Sequence, residues 1–132
     1  MLHHRLFFTI TAILQFISLY AQNDTGNTIT VIQLIEKIAI DSAIVILDVR
    51  TPEELEGLLG KLNNVINIPV QELEGRLSEL EKFKDSEIAV ICRTGRRSAT
   101  ATEILIRNGF NARNVLGGMV EFREVEKNNK KH

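Results

Sequence analysis

Tryptophan is absent and only 5% of the residues are aromatic, so the chain lacks flat apolar faces on which nucleobases stack. Charge of one sign is also in short supply. Sixteen Lys and Arg stand against seventeen Asp and Glu, a formal net charge of −1, and the basic excess of a nucleic-acid-binding domain is missing. Histidine is confined to His3, His4 and His132. The body of the chain therefore has no residue of the type that most often ligates zinc or pairs with a catalytic cysteine. No metal site, cofactor or nucleic-acid partner is expected. Cysteine is reduced to Cys92 alone, which excludes a disulfide framework within the chain.

Bilayer-spanning hydrophobic runs are missing too. Leu6 to Tyr20 is mostly apolar but is interrupted by Thr9, Thr11, Gln15 and Ser18, and it is short of the ~20 residues a spanning helix needs. Arg5 precedes it, and Ala21 followed by Gln22-Asn23-Asp24 closes it. That is the order of a secretory signal cleaved after Ala21. Residues 1–21 are expected to be a leader and 22–132 a single domain, periplasmic or secreted, with no membrane anchor after cleavage. Loss of Arg5 leaves 15 basic against 17 acidic residues, a net charge of −2. Oxidising compartments pair most cysteines, so a lone one there is a reactive thiol or an intermolecular link.

The remaining pattern alternates strands and helices. Thr28 to Val31 is a short strand candidate, and Thr30 with Gln33 forms a capping box before Val31, Leu34, Ile35 and Ile38 at helical spacing. Ala43 to Leu47 is a continuous apolar run, the mark of a buried parallel strand. Thr51-Pro52-Glu53-Glu54 starts a short helix ending near Gly57 or Gly60. Val65 to Ile68 reads as a strand, and Gln71 to Phe83 as an amphipathic helix with Leu73, Leu77, Leu80 and Phe83 on one stripe. Glu87 to Ile91 is a strand that presents Cys92. A helix-forming stretch begins with Ala99 and runs to about Asn108, where Gly109 stops it. Asn114 to Leu116 is a final strand, Gly117-Gly118 a tight turn, and Met119 to about Lys127 a last helix before a polar tail. The order predicts an α/β fold, a five-stranded mainly parallel sheet flanked by helices on both faces. Ligands of such sheets bind beyond the carboxyl ends of the strands, where Asp48 and Cys92 fall.

The chemistry concentrates in Cys92-Arg93-Thr94-Gly95-Arg96-Arg97-Ser98. A thiol between a strand end and a helix start meets amide N–H groups, and guanidinium charges surround it. Both favour the thiolate. Gly95 permits the positive φ that a curled anion-binding loop needs. Arg93, Arg96 and Arg97 cannot all face inward, and Arg97 with one other is expected to face the anion. The sulfur is expected to be a solvent-reachable nucleophile. Four residues separate Cys92 from Arg97, a smaller ring than the five of a cysteine phosphatase, and one better suited to a terminal sulfur atom than to phosphate. Asp48 is either a general base or a structural acceptor that caps the next turn or pairs an arginine; the cost of an unpaired buried carboxylate favours the second. Arg50 is read as a brace.

Four motifs in order carry a resemblance to the single-domain rhodaneses. Leu47-Asp48-Val49-Arg50-Thr51-Pro52-Glu53-Glu54 resembles the first signature of that family, and Val65-Ile66-Asn67-Ile68-Pro69 its xNIP strand. Cys92 to Ser98 resembles the active-site loop, and Asn114-Val115-Leu116-Gly117-Gly118-Met119 the closing motif. The resemblance implies a rhodanese-like fold and a sulfurtransferase. Cys92 would take a sulfane sulfur from a donor such as thiosulfate and pass it to a thiophilic acceptor, cyanide or a thiol, with Arg93, Thr94, Gly95, Arg96, Arg97 and Ser98 binding substrate and Asp48 and Arg50 in support. Two alternatives stay open, a non-catalytic rhodanese-type module for binding or redox sensing, and an arsenate or phosphate ester enzyme. The chain departs from the family at Gly60-Lys61-Leu62, where Gly-His-Ile is usual, and at Phe122, where tryptophan is. Oligomeric state is not legible.

Overall fold

The computed structural model describes residues 26–41 and 43–131. The expected leader, 1–21, lies outside them. Five strands, β1 Thr28–Ile29, β2 Val45–Asp48, β3 Ile66–Asn67, β4 Glu87–Ile91 and β5 Asn111–Val115, form one sheet in the order β1-β5-β4-β2-β3. Every pairing is parallel. The helices are α1 Val31–Ile40, α2 Pro52–Leu55, α3 Arg96–Arg107 and α4 Gly118–Asn129, with 3₁₀ turns over Val70–Glu72 and Glu74–Phe83. Among the described residues no helix is long and apolar enough to cross a membrane.

Side-chain alternation on β4 sorts the core into two layers. Ile88, Val90 and Cys92 point to one face, where α3 supplies Ala101, Ile104 and Leu105 and the 3₁₀ segment supplies Leu73 and Leu80. Ala89 and Ile91 point to the other, against Val31 and Leu34 of α1 and Met119 and Phe122 of α4. Each large apolar side chain removed from water contributes about 1.5–3 kcal/mol. Phe122 and Leu62, two positions of departure from the family, both sit in this second layer, so their variation is a packing matter.

The local signals act as expected at several boundaries. Thr30 and Thr51 each close a complete capping box, with Gln33 and with Glu54. Gly109 follows α3 with φ +84°. Several other boundaries move by one or two residues, and three differences are larger. Residues 74–83 form 3₁₀ turns rather than an α-helix; Leu77, Leu80 and Phe83 recur every three residues, which suits three residues per turn. Strand β5 begins at Asn111, three residues before the expected start, because pairing of Ala112 with Ile88 and of Asn114 with Val90 extends it along the central strand. Helix α3 begins at Arg96 rather than Ala99, since Gly95 takes φ +103° and serves as the N-cap. That last shift matters most: it brings the helix start to within four residues of the cysteine.

Candidate active site

Cys92 follows directly on β4, at the carboxyl end of the sheet's central strand, and only three residues separate it from α3. The Gly95 N–H donates to Sγ at 3.1 Å, and Ser98 Oγ lies 3.2 Å from the sulfur. Burial, the largest single influence, pushes the thiol pKa up. The Ser98 hydroxyl and the amides of Ser98, Gly95 and Thr94 together outweigh it and hold the pKa below the ordinary cysteine value. A cup of donors at a helix start is thus present, as the loop sequence implied.

Arg97, one of the two arginines expected to face the anion, has a partner of its own. Arg97 makes a two-pronged ion pair with Glu54, Nη1 to Oε2 at 2.7 Å and Nη2 to Oε1 at 2.8 Å. Glu54 takes up much of its charge, although Arg97 and Cys92 still attract one another, and the hydrogen bonds of the cup are the main influences that lower the Cys92 pKa. Hydrogen bonding from Arg97 is the main reason the Glu54 pKa drops from 4.5 to about 2. Glu54 also accepts from the Thr51 N–H at 3.0 Å, so one carboxylate caps α2 and clamps the start of α3. In the sequence Glu54 announces itself only as part of a capping box. Its partner lies 43 residues away, and no local pattern announces such a pair.

Arg93 and Arg96 are exposed, and among the described residues neither has an ion-pair partner. With Cys92, Thr94, Arg97 and Thr100 they line a cleft of about 420 Å³. Cys92 lines this cleft but is only 1% exposed, which runs against the expectation of a solvent-reachable nucleophile. The curl that gives the amides access to Sγ also screens it. A larger cleft, of about 500 Å³, is lined by Lys37, Ile44, Val45 and Glu87 at the opposite, amino end of β2 and β4, remote from the thiol.

Asp48 is fully buried and accepts from Arg50 Nε at 3.0 Å and Nη2 at 2.7 Å and from the Arg50 N–H at 3.0 Å. Arg50 also donates to the Gly60 carbonyl at 2.8 Å. Asn67 Nδ2 ties the carbonyls of Asp48 and Arg50 at 2.9 and 2.8 Å. A carboxylate so occupied is a brace for the 48–60 connection, the structural role anticipated, and it holds α2 where Glu54 can meet Arg97.

The other side of the cup is fixed by the closing glycines. The Met119 and Val120 N–H groups, at the start of α4, donate to the Cys92 and Arg93 carbonyls at 2.9 and 3.1 Å. Gly118 makes this approach possible. A Cβ there would sit 2.6 Å from Arg93 C and O and from Cys92 O, and φ is +59°. Asn114, on β5, completes the surroundings, accepting from Ser98 Oγ at 2.6 Å and donating to the Gly95 carbonyl at 3.2 Å. Neither residue stood out as a site residue beforehand, because a turn glycine and a strand asparagine are common in structural roles.

The family model described as Rhodanese-like domain matches residues 30–125. The Bacillus subtilis protein YrkF is 39% identical over 85 residues, which cover 64% of this chain but only 44% of YrkF. Thiosulfate sulfurtransferase PspE of Escherichia coli is 33% identical over 73 residues, 55% of this chain and 68% of PspE. The crystal structure of a rhodanese-related protein from Thermoplasma volcanium is 41% identical, with a TM-score of 0.66, covering 74% of this chain and 91% of that one.

Proposed function

The chain belongs to the rhodanese-like domain family, and from that premise we propose that it is a sulfurtransferase that loads a sulfane sulfur from thiosulfate onto Cys92 and delivers it to cyanide or a thiol. The observation that carries this reading is the Cys92 sulfur, held toward the thiolate by amides and a hydroxyl, in a residue that lines one cleft with Arg93 and Arg96. The Cys92 thiolate attacks the outer sulfur of thiosulfate, the S–S bond to the sulfonate breaks, and sulfite leaves with the bonding pair. The product is a Cys92 persulfide anion. Attack on its outer sulfur by cyanide or a thiolate then breaks the new S–S bond and restores the thiolate, so the charge balances in both halves. Arg93 and Arg96 serve to draw in the dianionic donor and steady the departing sulfite, and the loop amides serve the persulfide anion. The likeness to PspE, whose name states a thiosulfate sulfurtransferase, supports the choice of donor.

Intact mass spectrometry after incubation with thiosulfate tests the first half-reaction. One added sulfur on the wild type, none on Cys92→Ser, followed by thiocyanate formation with cyanide, is the expected result. Absence of sulfur uptake from thiosulfate and other sulfane donors overturns it. A non-catalytic binding or redox-sensing module is the competing reading, and the 1% exposure of Cys92 favours its binding form; it requires that no sulfur be taken up. We also read residues 1–21 as the leader of an exported protein. Expression of the full chain with its amino terminus determined tests this, and a product that begins at Met1 in the cytoplasm refutes it.

A further inference from the structure

We propose that Asn114 is a positioning residue that competes with the Cys92 sulfur for the single hydroxyl proton of Ser98. The proposal rests on the reading of Cys92 as the sulfur carrier and adds a control on when that sulfur carries charge.

The argument is a count of protons. Gly95 N–H donates to Sγ at 3.1 Å, Sγ and Ser98 Oγ are 3.2 Å apart, Ser98 Oγ and Asn114 Oδ1 are 2.6 Å apart, and Asn114 Nδ2 donates to the Gly95 carbonyl at 3.2 Å. These contacts close a ring that leaves and returns through Gly95. The orientation of Asn114 is set by the Gly95 carbonyl, which can only accept, so the amide nitrogen must face it and Oδ1 must face Ser98. Ser98 Oγ and Asn114 are buried, so neither can turn to bulk water for a substitute.

Ser98 has one proton and two acceptors beside it. With Cys92 protonated, S–H donates to Ser98 Oγ, the Ser98 hydroxyl donates to Asn114 Oδ1, and every group is satisfied. With Cys92 ionised, the hydroxyl must turn to the sulfur, leaving Oδ1 facing an oxygen lone pair at 2.6 Å, or stay on Asn114 and leave Ser98 Oγ facing a thiolate. Either choice strands an acceptor, which is costly in a buried site. After sulfur loading Sγ is uncharged, the negative charge moves to the outer sulfur, and the hydroxyl returns to Asn114. Asn114 therefore favours the protonated and loaded states over the bare thiolate. Ser98 can stabilise the thiolate fully only at the expense of Asn114.

The charged groups around the sulfur are the Arg97–Glu54 pair, the Asp48–Arg50 pair, and Arg93 and Arg96, and substitution of Asn114 leaves all of them in place. The test is the pH dependence of iodoacetamide alkylation of Cys92, which needs no sulfur transfer. Asn114→Leu keeps roughly the size and removes the competing acceptor. Its alkylation midpoint is expected to fall by roughly 0.5–1 pH unit, a three- to tenfold larger thiolate fraction below the midpoint. The same substitution in a Ser98→Ala background is expected to leave the midpoint where Ser98→Ala alone puts it. A purely structural role predicts the opposite sign, since a loosened loop withdraws the Gly95 N–H and raises the midpoint. An unmoved or raised midpoint, or a fall that persists without Ser98, overturns the proposal. Should Asn114→Leu fail to fold by circular dichroism, Asn114→Ala carries the test with the same sign: it also removes the acceptor, its midpoint falls, and an unmoved or raised one overturns the proposal. Sulfur uptake measured on the wild type judges the sulfurtransferase reading separately, because that reading can fail while the midpoint still moves.

Discussion

Replacing Glu54 by Gln keeps the side chain's length and an oxygen to accept from the Thr51 N–H, but removes the charge that Arg97 grips with two hydrogen bonds. The magnitude follows from the Glu54 pKa, about 2 instead of 4.5. At 1.36 kcal/mol per pH unit that gap corresponds to roughly 3.4 kcal/mol as an upper limit. The Arg97 and Glu54 side chains are 32% and 30% exposed, and solvent screening reduces the net figure to about 1–2 kcal/mol. The sign is that of a carboxylate with a depressed folded-state pKa. The contribution is complete above about pH 4.5 and is lost as the pH falls toward about 2. Urea unfolding of wild type and Glu54→Gln at pH 7 should therefore differ by about 1–2 kcal/mol, and the two should converge as the pH approaches 2–3. A difference that persists undiminished at low pH would show that packing rather than charge is responsible. The same variant releases Arg97 toward the sulfur, so the Cys92 alkylation midpoint should fall. If it rises or stays, the claim that Glu54 masks Arg97 is wrong.

Arg97→Ala leaves the Glu54 carboxylate unpaired beside the cup, and the Cys92 alkylation midpoint should rise with weaker use of thiosulfate; a fall would refute the electrostatic account. Ser98→Ala removes a hydrogen bond to Sγ and should also raise that midpoint, while a stopped-flow alkylation profile identical to wild type would show that the hydroxyl never serves the sulfur. Gly118→Ala forces a methyl against the Cys92 and Arg93 carbonyls, so it should cost about 1–3 kcal/mol and abolish sulfur uptake; a folded variant with full uptake would mean the loop tolerates displacement.

Much of the scaffold was legible because its signals are local. A capping box is four consecutive residues, and the boxes at Thr30 and Thr51 form as spelled. The strand before Cys92 is a run of apolar residues ended by a polar loop, and β4 spans Glu87–Ile91, the bounds read from that run. The segment 74–83 is ambiguous in sequence because Leu77, Leu80 and Phe83 fit both a 3.6- and a 3-residue period over so short a stretch. Strand β5 was shortened because Asn111 to Asn114 carry no apolar alternation of their own; their extended form is imposed by pairing with β4.

The site divides along the same line. Cys92, Gly95 and Ser98 lie within seven residues, and their contact follows from a loop that curls into a helix. What sets their chemistry is not local. Glu54 arrives from α2, Asn114 from β5 and Gly118 from the start of α4, and each reaches the cup because parallel pairing of β2, β4 and β5 brings the ends of those strands together. The arginine-rich loop suggested that positive charge lowers the Cys92 pKa, an inference that counts cations without knowing where the anions are. Once Glu54 is placed on Arg97, the weight moves to uncharged donors. Such donors, unlike surface charge, are little screened by salt. The Cys92 alkylation midpoint should therefore move by less than about 0.3 pH unit between low and physiological ionic strength. A shift of a full unit would restore the arginines as the dominant influence and remove the amide cup from the explanation.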